Sequence, residues 1–167
     1  AKKLALKWAE LACETQNLEC IEKIQDFIIK ILPTEMLDAE FCKDIYDQFL
    51  LLLDDLLKTE DYDKADKVLD QIFRISINEK EHVKASFVKY SEIGNNLCKN
   101  DEFLKGINTL LISIKILHSI GEGDTEIIAL KTTCAKNIAS WWCQSLEHGV
   151  KQNNTDNSVN MYYKAVS

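Results

Sequence analysis

Three histidines (His82, His118 and His148) and six cysteines (Cys13, Cys20, Cys42, Cys98, Cys134 and Cys143) are the side chains of this 167-residue chain most suited to acid–base, nucleophilic or metal chemistry. Metal binding on a helix wants a second ligand one turn away, and structural zinc wants closely spaced cysteine pairs. No histidine here has a partner four residues on, and no two cysteines stand as C-x-x-C. The histidines read as solvated or capping groups near helix ends, with His148 suited to a helix C-terminus, where a cation meets the negative end of the dipole. Cys143 and His148 lie five residues apart on one helical pattern and point in different directions, which argues against a nucleophile–base pair. The carboxylate pairs Asp54-Asp55 and Asp61/Asp63 fall in or beside helix ends and solvated faces, and there is no glycine-rich phosphate loop. No catalytic, cofactor-binding or metal-ligating residue is assigned. The chain reads as not an enzyme, with no cofactor and no small-molecule substrate. Trp141 and Trp142 differ from these groups. Adjacent helical residues point about 100° apart, so one tryptophan packs and the other is expected to be partly exposed, as a candidate interface anchor.

The elements that must carry these residues are helices. One proline and five glycines in 167 residues leave too few turn signals for a strand-rich fold. Apolar residues recur at helical spacing over 3–16 and 18–32, with Pro33 closing the second run, then over 38–58, 62–77, 80–99, 102–119 and 125–148. Asp124, after the Gly121–Gly123 loop, is placed to cap the amides two and three residues on. Gly149 to Asn157 reads as a polar loop, and a last helix is expected from Ser158. The net charge of −7 repels phosphate backbones and anionic lipid, so neither nucleic acid nor membrane is expected as a partner. Apolar runs such as Phe49–Leu53 are too short to span a bilayer. The cysteines are expected to be reduced, structural thiols of an intracellular protein, cytoplasmic or nuclear. The absent initiator methionine and the final "MYYKAVS" suggest a fragment of a longer protein.

Trp8, Phe49 and Tyr90 follow one another at a constant interval of 41 residues. Each is followed three residues on by a hydrophobe (Leu11, Leu52, Ile93) and later by a polar turn. Small residues recur as Ala12 and Gly94 in the first helix of a pair and as Ala65 and Gly106 in the second. The three aromatics therefore read as core anchors of a repeated helical pair.

On these residues the chain resembles the tetratricopeptide repeat family. "DYDKADKVLDQIF" (Asp61–Phe73) looks like its second-helix signature, "YSEIGNNLCKNDEF" (Tyr90–Phe103) like its first helix and turn, and "NMYYKAVS" like another second helix. Its usual period is 34 residues; here it is 41, with helices about a turn longer, Leu53 in place of one small residue, and no proline after most second helices. "CAKNIASWWCQSLEHG" resembles the meiotic scaffold type of such repeats. The resemblance implies an all-α, tetratricopeptide-like superhelix. It would be a single domain over 1–167, in four antiparallel pairs at about 3–32, 38–77, 80–119 and 125–167. It also implies that first helices line a groove, through Gln16 and Asn17, then Asp47, Asp54 and Lys58, then Asn95 and Lys99. With Trp141 and Trp142, the residues Asn95, Lys99, Asp54 and Lys58 are the expected partner-binding set. The implied function is a non-catalytic scaffold binding a peptide or helix of another protein inside a larger complex. The alternative is a helical-bundle enzyme or ligand-binding domain with convergent polar groups in a core pocket.

Overall fold

A computed structural model describes residues 2–31, 38–72, 80–120 and 123–151. Among them are seven α-helices and no strand: α1 (Lys2–Glu14), α2 (Leu18–Ile31), α3 (Ala39–Lys58), α4 (Tyr62–Ile72), α5 (Lys80–Lys99), α6 (Phe103–Ile116) and α7 (Thr125–Lys151). A short 3₁₀ turn, Leu117–Ser119, follows α6. The chain is all-α, as its scarce turn residues require. Asp124 accepts from the amides of Glu126 (2.9 Å) and Ile127 (3.4 Å) and opens α7 as expected. Asp38 does the same for α3, accepting from Phe41 at 2.9 Å. One boundary differs: α7 runs on through Gly149 to Lys151, because glycine costs a helix interior only about 1 kcal/mol. The helix expected from Ser158, and residues 73–77 of the fourth helical pattern, lie outside the described residues.

The chain forms two compact units, the first of residues up to Val83 together with His118–Ile120 and the second of Lys84–Leu117 and the residues from Gly121 on. In the first, α1 packs on α2 and α3, and α4 packs on α3 and α2. Ala9, Ile21, Ile24, Phe49, Leu53, Leu56, Ala65, Leu69 and Ile72 are fully buried there. In the second, α6 packs against α5 and α7, around Tyr90, Ile107, Leu110 and Ile116. The α5–α6 crossing is backbone-close: a Cβ on Gly106 would lie 2.6 Å from the carbonyl oxygen of Gly94 and 2.8 Å from the amide nitrogen of Cys98. Only glycine fits there.

Three turns inside helical pairs share one geometry. Gln16, Glu60 and Asp101 have φ of 50°, 62° and 65°, the left-handed conformation that ends many helices. In each case the next residue's amide reaches back five positions: Asn17 to Ala12 (2.9 Å), Asp61 to Leu56 (2.9 Å) and Glu102 to Leu97 (3.0 Å). The same residue then opens the following helix. Asn17 Oδ1 accepts from the Cys20 amide, and Asp61 Oδ1 from that of Lys64. The Glu102 carbonyl accepts from the Gly106 amide. These are Schellman caps whose last residue doubles as the next N-cap.

The caps also correct the register of the repeat. Gln16 lies 44 residues before Glu60, and Asp101 lies 41 after it. Phe49 and Tyr90 stand at the same offset from their turns, and both are fully buried. The matching residue of α1 is Ala5, which is buried, and Trp8 is 37% exposed. Trp8 is therefore not the core anchor that the interval of 41 suggested. It rests edge-on against Phe27 at 6.3 Å. By the same register, Gly94 corresponds to Ala9 rather than Ala12.

Candidate interaction cleft

Within the second unit, α5 presents Glu92, Asn95, Asn96 and Lys99 on one face, at helical spacings of three, four and seven. Asn137, Ser140 and Trp141 form the corresponding face of α7. The two faces border an open cleft of about 530 Å³. Lys84 Nζ bridges to Glu126 Oε1 at 2.6 Å near the start of both helices, and Trp141 Nε1 donates to Asn95 Oδ1 at 2.8 Å further along both. The two helices therefore run in the same direction, with α6 packed against each.

Asn95 and Trp141 hold each other. The Asn95 side-chain amide donates to the carbonyl of Ser91, 2.8 Å away, which turns its Oδ1 toward the indole. The indole packs against Phe103 with ring centroids 6.3 Å apart, and Phe103 meets His148 edge-on at 5.6 Å. His148 Nδ1 lies 3.6 Å from Asp101 Oδ1, so the C-terminal part of α7 is fastened over the α5–α6 turn. Trp141 thus forms a fixed wall, while Asn96, Lys99, Asn137 and Ser140 are exposed. The cleft carries one carboxylate and one ammonium group. Its remaining polar groups are three side-chain amides and a hydroxyl, which both donate and accept hydrogen bonds, and the Trp141 indole N–H, which donates to Asn95. Such a surface suits the alternating N–H and C=O groups of an extended polypeptide.

Of the expected binding set, Asn95, Lys99 and Trp141 come together here. Trp142 is half-buried beside Trp141 but does not line the cleft. Asp54 and Lys58 belong to α3 in the first unit, where Lys58 pairs with Asp55 at 2.8 Å; that contact raises the Lys58 pKa. Gln16 and Asn17 are turn and cap residues, and Asp47 is 2.7 Å from His82, whose ring lies edge-on to Tyr46. Glu92, Asn96, Asn137 and Ser140 escaped the sequence reading. Their spacing put each group on one helical face, yet nothing in the sequence said which two faces would oppose.

Among the described residues, no group of three or more His, Cys, Asp or Glu side chains is arranged to hold a metal. No described helix is long and apolar enough to cross a membrane. Burial pushes the Cys13 thiol up to about 12 and that of Cys98 up to about 11. Comparison with protein-family models, with curated proteins and with solved structures gave no match.

Proposed function

We propose that this chain is a non-catalytic interaction scaffold that takes an extended segment of a partner protein in the cleft between α5 and α7. The observation that carries this reading is the convergence of Asn95, Asn96, Lys99, Asn137, Ser140 and Trp141 on one open cleft. The carboxamides of Asn96 and Asn137 pair with backbone groups of the bound segment, Lys99 meets a carboxylate or carbonyl, and Trp141 supplies an apolar wall. We read the helical pairs as tetratricopeptide-like and stacked in a superhelix. Three matching turns support this, as does the common direction of α5 and α7 within the second unit. In the first unit, the ion pair of Lys2 with Asp38 brings the N-terminal ends of α1 and α3 together.

The test is selection of peptides from a random display library against the 167-residue chain, followed by calorimetry and by ¹⁵N spectra of the tryptophan indoles. Selected peptides are expected to shift the Trp141 indole resonance. The double variant Lys99→Ala/Asn137→Ala should weaken binding about tenfold or more, roughly 1.4 kcal/mol, with helicity unchanged. Peptides that bind the variant as well as the parent, or that leave the Trp141 signal in place, would refute this assignment.

A further inference from the structure

Leu4, Trp8 and Leu11 of α1 are 71%, 37% and 56% exposed, and their spacing of four and three residues aligns them on one face. The neighbouring face, about 100° round the helix and carrying Ala5, Ala9 and Ala12, is buried in the first unit. An exposed apolar row of this kind on a folded helix marks an interaction surface. Its charges narrow the choice of occupant. Along one edge of the row run Lys3, Lys7, Glu10 and Glu14, basic toward the N-terminus and acidic toward the C-terminus.

That order opposes the helix dipole, which favours acids at the start of a helix and bases at its end. α1 has no acid in its first turn and no base in its last. α2, α3 and α5 all have both. The reversed pattern is self-complementary. When two copies of α1 lie antiparallel about a two-fold axis at Trp8, Leu4 lies beside the partner's Leu11. Along the edge, Lys3 and Lys7 then meet the partner's Glu14 and the partner's Glu10. The two dipoles also run in opposite directions, the favourable arrangement. Within one chain only Lys7 and Glu10 of this set approach each other, at 3.4 Å.

We propose that the Leu4–Trp8–Leu11 face of α1 docks antiparallel on the same face of a second copy of this chain. Such a contact is isologous, as closed dimers require. Three apolar side chains per copy fall short of the roughly 800 Å² per partner of a standard interface, so the dimer is a weak one. Sedimentation velocity on the whole chain from about 5 to about 500 μM covers the range of dissociation constants expected of such a contact. The parent chain should move from monomer to dimer across that range. Leu4→Glu/Leu11→Glu should weaken dimerisation at least tenfold, with unchanged circular dichroism.

The decisive pair alters exposed charges alone. Lys3→Glu/Lys7→Glu makes the edge wholly acidic, and Glu10→Lys/Glu14→Lys makes it wholly basic. Each alone should stay monomeric, and an equimolar mixture should form heterodimer. A parent chain that is monomeric throughout would overturn the proposal and leave this face to a different protein. So would a Leu4→Glu/Leu11→Glu variant that dimerises like the parent, or a mixture of charge variants that does not associate.

Discussion

Cys13 and Cys98 are buried where a thiolate would lose its hydration. Their pKa values are pushed to about 12 and about 11 by that burial. The folded chain therefore keeps both as neutral thiols at pH values where an unfolded cysteine, with its ordinary value near 9.0, has begun to ionise. A folded pKa raised above the unfolded one gives stability that is complete below the unfolded value and lost as pH rises past it. The urea midpoint is accordingly expected to be flat from pH 7 to 8.5 and to fall between about pH 9 and 11. Cys13→Ala should lessen that fall, and an unchanged slope would mean that other groups titrate there. The same burial orders the thiols by reactivity. With iodoacetamide at neutral pH, the exposed Cys143 should be modified first, and Cys13 and Cys98 only on the timescale of unfolding.

At the scale of elements, the three Schellman turns hold glutamine, glutamate and aspartate in a conformation that costs a side-chain-bearing residue about 1–2 kcal/mol. Gln16→Gly removes that cost and gives back part of it through a more flexible unfolded chain. A net gain of about 0.5–1 kcal/mol is expected, read as a higher midpoint in urea. A loss of stability would show that the Gln16 side chain holds the turn by contacts of its own. The same residues explain what the sequence revealed and what it hid. Helix positions were legible from apolar spacing and from Asp124; Pro33, read as closing the second helix, lies outside the described residues. The register of the first pair was not, because glycine, the usual marker of a left-handed cap, is missing at Gln16, Glu60 and Asp101. Trp8 supplied a false marker, since a large aromatic ring stood for burial while the small Ala5 occupied the core position. For the cleft, the anchor offsets found Asn95 and Lys99, and a pair of neighbouring tryptophans drew notice to Trp141. Asn137 and Ser140 stayed hidden because the pairing of α5 with α7 is a tertiary fact with no local signature.

At the scale of the whole molecule, each of the two units has its own buried core, and the tryptophans are divided between them. Trp8 reports on the first unit, and Trp141 and Trp142 on the second. Leu53 is fully buried in the first unit, and Leu53→Ala should cost about 2–5 kcal/mol there. In chains with only Trp8, or with only Trp141 and Trp142, the substitution is expected to lower the urea midpoint seen by Trp8 more than that seen by the other two. Equal shifts would mean that the chain unfolds as one cooperative block. The turns bear on a different property. Because Asn17, Asp61 and Glu102 each close one helix and open the next, these connections contain no spare residue. A single inserted amino acid would have to break either the five-residue return bond or the cap that follows it. The hairpins are therefore fixed in length, and divergence among descendants of this chain must enter by substitution at those points and by insertion or deletion elsewhere.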